Sequence, residues 1–510
     1  MNVADTDLIG TIFANAGYET SDSAEDASVI LLNTCAIREK AEERIFGRLG
    51  WLKPIKKSNP NTIIGVTGCM AEHLKAKLLE RAPHVDLIVG PDGYRNLPTL
   101  VKNARGADDD PHVGLTASRN NTSTNDTSIK DTLKSDSLSD TSTKKGSAKD
   151  HKPKKKKNAA QIDVRLNRDE LYRDIDKRTI ADREAVRQKD ARVSGFLTIM
   201  RGCDKFCTFC VVPYVRGRER SLEAERIVEE AIAMEAAGYK EITLLGQTVS
   251  SYNVDGVNFA SLLRQVHDAT SVRLRFTSPY PTDFDEELLE TMADLPRVGK
   301  QLHLPLQSGS TNVLGIMRRR YTADEYKTII DRVRRIIPDF ALSTDIIVGF
   351  PGESEADFQE TLDMCRHVQF DSAFMFMYSE RELTVASRKL PDTVSEEEKS
   401  ARLQRLLRLQ ETHSQARSAA KVGTTVDVLV TGTHRKDDTK WVGRSSCFRP
   451  TTFAKSPSES SPNTPLSINP GDIVNVQIER AKNHALFGVG TYVHICSHDA
   501  RTLGGDNQKM

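Results

Sequence analysis

The 510 residues include only two tryptophans, and aromatic residues make up 6% of the chain, so large aromatic side chains do not dominate any core or binding surface. No apolar run reaches the roughly eighteen residues that a membrane-spanning helix needs, so no helical span is expected. The first residues, Met1-Asn-Val-Ala-Asp-Thr-Asp7, are polar and acidic and lack the basic-then-apolar order of a secretory signal. A net charge of +1 provides no large field of one sign, and any polyanionic partner must be argued from local clusters of Lys and Arg. Eight cysteines in a long chain without a signal do not form a disulfide framework, and a reducing compartment with a metal site fits them better. At 38% hydrophobic, the chain can bury sizeable cores, and its length suggests about three domains.

Two short apolar runs, Ser28-Val-Ile-Leu-Leu-Asn-Thr-Cys35 and Thr62-Ile-Ile-Gly-Val-Thr-Gly-Cys69, are each followed by a charged helical stretch, and Val85 to Gly90 supplies a third strand pattern. Strands alternating with helices predict a Rossmann-like parallel α/β domain over 1–102, with Cys35 and Cys69 at the carboxyl edge where ligands gather. Residues 103–160 are rich in Ser, Thr, Asn and Lys, including Lys154 to Lys157, and read as a disordered insertion. Its lysines suit RNA or a nuclear address, or simply a solvated linker. The β-then-α rhythm returns over 190–420, with strands expected at Phe196–Met200, Glu241–Leu245, Val272–Phe276, Gln301–Leu304 and Thr344–Val348, enough for a full or partial barrel. A connector helix from Glu396 to about Ala420 carries Leu403, Leu406, Leu407 and Leu409 at helical spacing. Alternating strands over 421–495 predict a small β-barrel.

The segment Met200-Arg-Gly-Cys203-Asp-Lys-Phe-Cys207-Thr-Phe-Cys210 places three thiols at C-x-x-x-C-x-x-C spacing directly after a strand. Three thiolates hold an iron–sulfur cube with one iron left open, and openness implies chemistry rather than storage. Zinc and simple packing are the alternatives, but zinc normally takes four ligands and none lies nearby in sequence. Around the cysteines, Arg201-Gly-Cys and Val211-Val-Pro-Tyr-Val-Arg-Gly-Arg-Glu-Arg220 resemble the radical S-adenosylmethionine signature of the tRNA methylthiotransferase family. His303-Leu-Pro-Leu-Gln-Ser-Gly-Ser310, Met317-Arg-Arg-Arg-Tyr-Thr322 and Thr344-Asp-Ile-Ile-Val-Gly-Phe-Pro-Gly-Glu353 resemble further motifs of that family, in its order and over most of the chain.

The resemblance implies a partial TIM-like barrel with a 4Fe-4S cluster on Cys203, Cys207 and Cys210, whose open iron chelates S-adenosylmethionine for reductive cleavage. Candidate cofactor contacts are Arg216, Arg218, Gly246, Gln247, Gly349 and Gly352, with an ion pair or an ordinary turn as the alternative for the arginines and glycines. His303 is assigned no catalytic role, and no other residue is assigned one. A second 4Fe-4S cluster, the sulfur source, is implied on three cysteines of the amino-terminal domain, of which Cys35 and Cys69 match two. The third, with its strand, is expected upstream of Met1, because Met1 to Asp5 resembles the residues that come after a Gly-Cys in the family. A misplaced start codon is the expected reason. Loss of that strand would leave neighbouring backbone groups unpaired. Cys365, Cys447 and Cys496 match no motif and are expected to be inert thiols.

The terminal barrel resembles a TRAM domain, which implies RNA binding, with Arg435, Lys436, Lys440, Arg444 and Arg449 as phosphate contacts or as scattered surface charge. The motifs most resemble the branch that adds a methylthio group to carbon 2 of isopentenyladenosine beside the anticodon of tRNA, using two S-adenosylmethionines. A splayed anticodon loop requires no duplex opening. The sister branches act on threonylcarbamoyl-adenosine or on a ribosomal protein, and a non-catalytic RNA-binding protein with a structural cluster is the reading from another class. Flavodoxin or ferredoxin as electron donor, a monomer, no membrane, and a cytoplasmic or, in a eukaryote, mitochondrial setting complete the expectations. Two departures from the family pattern stand out. Thr248 occupies a position that usually carries Asn, and Glu380-Arg-Glu-Leu-Thr384 replaces a Gly- or Pro-containing turn.

Overall fold

β2 (Ile63–Gly68) is buried at all six residues, so it needs strand neighbours on both edges and apolar cover on both faces. The computed structural model, which describes residues 1–36, 39–106, 159–167, 169–175, 193–454 and 468–494, supplies both. β1 (Val29–Thr34) and β3 (Leu87–Val89) flank it in parallel, and β4 (Gln161–Asp163) extends the sheet in the order β1-β2-β3-β4. The fourth strand has no counterpart among the sequence expectations, because it lies beyond the low-complexity segment, most of which (107–158) falls outside the described residues. Three residues are also too short a run to show a period. One face of the sheet is covered by Leu8, Ile9 and Ile12 of the helix Asn2–Asn15 together with Leu97 and Val101. The other is covered by Leu49, Leu52 and Met70.

Among the described residues no strand pairs with the outer side of β1. β1 and β2 pair directly through six positions, from Val29↔Ile63 to Thr34↔Gly68, and β1 forms the half-buried edge.

Six parallel strands build the central domain in chain order: β5 (Ser194–Thr198), β8 (Glu241–Leu245), β11 (Arg273–Phe276), β12 (Gln301–His303), β13 (Ala341–Val348) and β14 (Ser372–Met377). Between them run two short antiparallel pairs, β6 (Met200–Arg201) with β7 (Arg220–Ser221) and β9 (Asn253–Val254) with β10 (Val257–Asn258). The six form two three-stranded sheets joined by one bridge, Leu274↔Val298, and β5 and β14 are not hydrogen-bonded to each other, which gives a partial barrel. β14 escapes a sequence reading because Ser372-Ala-Phe-Met-Phe-Met lacks strict alternation. Helices outside the barrel start at encoded signals. Thr322 with Glu325 and Ser354 with Asp357 form complete capping boxes. The connector helix Glu396–Ala419 begins at a third, Ser395 with Glu398. Its Leu406 is fully buried against the barrel, whereas Leu407 is 38% exposed and faces away.

The terminal strands β15 (Thr425–His434), β16 (Asp437–Ser445), β17 (Pro450–Ala454), β18 (Ile473–Lys482) and β19 (Ala485–His494) close into a barrel in the order β15-β16-β17-β19-β18. It is fastened to the central domain through β11. Arg273 pairs with Asp427 at 2.6 Å, and Arg275 donates to the carbonyls of Ser445 and Ser446.

Candidate active site

The pairing of β6 with β7 closes the neck of a loop that leaves the carboxyl edge of the first barrel strand. Gly202 opens the loop at φ +81°, and a Cβ there would run into the carbonyl of Arg218, so no other residue fits. The backbone N–H of Cys203 donates to Gly217 O at 3.2 Å, that of Cys210 to Cys207 O at 3.0 Å, and that of Thr208 to Met317 O at 3.0 Å. The loop is therefore held by main-chain bonds at its neck, in its middle and near its end. The three thiols lie close enough to influence one another's ionisation. Burial, then the neighbouring Cys207, pushes the Cys210 thiol up to about 12, and burial raises Cys203 as well.

Two side chains reach the sulfurs. Thr248 Oγ1 lies 3.2 Å from Cys203 Sγ, and an Arg319 guanidinium N–H points at Cys207 Sγ at 3.4 Å. Arg319 is fixed by donating to Pro305 O and by stacking against Tyr280, its guanidinium carbon 4.3 Å from the ring centre. Among the described residues no three His, Cys, Asp or Glu side chains converge as a single metal ion requires. Three cysteines on one loop, no fourth ligand among the described residues, a cation at one sulfur and a hydroxyl at another suit an iron–sulfur cube, which spreads its thiolates and leaves one iron open.

The expected cofactor contacts separate into three groups. Gln247 stays at the site, its Oε1 accepting from Gly202 N at 2.6 Å. Gly246 is required where β8 ends because a Cβ would strike Met200, and Gly349 (φ +70°) because one would strike Lys399 of the connector helix. Gly352 lies at φ +87° with its N–H donating to Thr393. Protein packing and turn geometry thus account for these glycines without a nucleoside. Arg218 is exposed and paired with Asp204 at 2.5 Å, the ion-pair alternative, and Arg216 turns toward the amino-terminal domain. His303 contacts Ser343 and Asp345 at 3.0 and 3.2 Å and meets Phe374 edge-on.

Cys35 and Cys69 directly follow the register pair Thr34↔Gly68, so strand pairing brings both to one edge. Cys69 is buried with Ala36, Val211 and Val215, the last two belonging to the chain just after Cys210. Arg216 donates to Cys69 Sγ at 3.1 Å and to Asp5 at 2.7 Å, and Arg201 takes the other Asp5 oxygen at 3.0 Å. Burial would raise the Asp5 carboxyl, but the Arg216 and Arg201 guanidiniums outweigh it and hold the group below its ordinary value. Sequence reasoning missed Asp5, Arg201 and Arg319. A usable signal existed for Asp5, a carboxylate at helical spacing among the apolar Ala4, Leu8, Ile9 and Ile12.

Of the basic residues on the terminal barrel, Arg435 and Lys436 are exposed at the turn between β15 and β16, and Lys440 pairs with Asp437 at 2.7 Å. Arg444 stacks on Phe448 with its guanidinium carbon 4.3 Å from the ring centre. Arg449 is a correction to the phosphate-contact expectation. It is 5% exposed and spent on Asp371 and Ser418, tying the two barrels together. Cys365 and Cys447 are buried, and Cys496 lies outside the described residues.

Family models match along the chain in the same three blocks: "Uncharacterized protein family UPF0004" at 1–90, "Radical SAM superfamily" at 197–365 and "TRAM domain" at 419–489. A tRNA-2-methylthio-N(6)-dimethylallyladenosine synthase of Christiangramia forsetii is 36% identical, covering 96% of this chain and 91% of its own length. The synthase of that name from Phocaeicola vulgatus is 37% identical, covering 96% and 93%. Among solved structures, a radical S-adenosylmethionine methyltransferase from Kitasatospora setae is similar at 13% identity with a TM-score of 0.49, covering 75% of this chain and 71% of its own.

Proposed function

The chain belongs to the tRNA-2-methylthio-N(6)-dimethylallyladenosine synthase family, and we propose that within it Cys203, Cys207 and Cys210 hold the radical-generating cluster. The protein is a transferase that adds a methylthio group to carbon 2 of isopentenyladenosine in tRNA, with 4Fe-4S clusters and S-adenosylmethionine as cofactors. When bound, these cofactors supply reductive sulfonium cleavage, the radical that activates the carbon–hydrogen bond, the sulfur and the methyl group.

The chain's own residues bind, orient and shield. Three thiolates from one backbone-pinned loop give a fixed seat, Gln247 holds the loop's first residue, and Arg319 offsets thiolate charge at Cys207. Cys35 and Cys69 are the proposed auxiliary ligands, with Arg216 playing at Cys69 the part that Arg319 plays at Cys207. Arg435 and Lys436, exposed on the terminal barrel, are proposed to meet phosphates of the anticodon arm. No helix among the described residues is long and apolar enough to cross a membrane. Cytoplasmic residence, a monomeric state and a flavodoxin or ferredoxin donor complete the proposal.

The observation that carries the reading is the single loop, pinned by backbone hydrogen bonds, that carries three thiols at C-x-x-x-C-x-x-C spacing. Nucleoside mass spectrometry tests it. In a strain lacking its own enzyme of this family, the wild-type chain is expected to restore methylthio-isopentenyladenosine in tRNA, and the Cys203→Ala chain is not. Appearance of methylthio-threonylcarbamoyl-adenosine instead would reassign the substrate.

A further inference from the structure

The second and third residues after β8 grip the cluster loop from one side, Gln247 at Gly202 N and Thr248 at Cys203 Sγ. Thr248 is itself held. Its carbonyl accepts from Ser251 Oγ at 2.7 Å, and Ser251 also bonds Glu219 at 2.8 Å, near the far end of the same loop. At 2% exposure its hydroxyl is shielded from water, and a hydrogen bond there acts in a low-dielectric setting. In the bare protein either the thiol or the hydroxyl can donate. Once Cys203 is a metal ligand its sulfur carries no proton, and only Thr248 can.

We propose that Thr248 is a positioning residue whose hydroxyl donates to the Cys203 thiolate and raises the reduction potential of the cluster on Cys203, Cys207 and Cys210. The inference rests on the cluster assignment above. Hydrogen bonds to cluster sulfurs withdraw electron density and ease reduction, which makes the contact a tuning element as well as a tether.

The test uses the full chain reconstituted anaerobically, with the cluster that responds to S-adenosylmethionine followed by electron paramagnetic resonance during a potentiometric titration. Thr248→Val keeps the shape and removes the donor, and Thr248→Ser keeps the donor. Equal iron loading is expected in all three chains, with a more negative midpoint for Val and a wild-type midpoint for Ser. Equal midpoints in wild type and Val would overturn the proposal, and so would a Ser shift as large as that of Val, which would assign the effect to packing. A wild-type chain that takes up no cluster on Cys203, Cys207 and Cys210 would overturn the cluster assignment itself, a result distinct from loaded chains of equal potential.

Discussion

The two cysteine sites are built in opposite ways. Cys203, Cys207 and Cys210 lie within eight residues on one loop whose shape is set by its own backbone hydrogen bonds and a neck of two short strands. Cys35 and Cys69 are brought together by the pairing of β1 with β2, and Cys69 is then completed by Arg216 from another domain. A local site depends on few other parts of the molecule. A composite site depends on the docking of whole domains, and the same Arg216 that reaches Cys69 also holds the amino-terminal domain against the barrel through Asp5.

That contrast breaks most visibly at the loop. Replacing Cys203 with Ala should abolish release of deoxyadenosine from S-adenosylmethionine and remove the iron of one cluster, while far-ultraviolet circular dichroism stays unchanged. The next effect belongs to the composite site. Arg216→Ala leaves the buried Asp5 carboxylate with one of its two cations, which should cost about 3 kcal/mol in a urea titration. Gly202→Ala asks the loop to accept a Cβ where the Arg218 carbonyl already sits, at a positive φ, and should cost about 1–3 kcal/mol while sharply lowering cluster loading.

How much of the molecule is legible in its sequence obeys the same division. The radical loop can be read because its ligands share one short segment, and the barrel strands because Glu241-Ile-Thr-Leu-Leu and its counterparts are compact apolar runs. Cys35 and Cys69 can be placed at a sheet edge from the strand–helix alternation alone. The contact of Arg216 with Cys69 and Asp5 is not legible in the sequence, because adjacency to Cys210 says nothing about which way a long side chain turns. Arg449 looks like a phosphate contact because a basic residue on a barrel gives no sign of its burial beside Asp371. The helical spacing of the connector leucines identifies a helix but does not say that Leu407 faces outward.

A smaller effect sharpens the comparison through pH. Asp5 is held below its ordinary value of 3.8, so its ion pairs stabilise the protein above that value, and the contribution is lost as pH falls through the lower folded value. Asp5→Asn should therefore flatten the stability profile below about pH 4, read by thermal unfolding across acid buffers. The smallest change is expected at Arg435 and Lys436. Each to Ala should weaken tRNA binding and reduce the slope of log affinity against log salt by about one, without altering stability. Arg449→Ala should do the reverse.

The most direct measurement pairs the wild-type chain with Cys69→Ala, both reconstituted anaerobically and supplied with dithionite, S-adenosylmethionine and isopentenylated tRNA, with deoxyadenosine and methylthiolated nucleoside quantified together. If the loop is self-sufficient, both chains release deoxyadenosine and only the wild type yields methylthio-isopentenyladenosine. Release of deoxyadenosine by neither chain would contradict the assignment of radical chemistry to Cys203, Cys207 and Cys210.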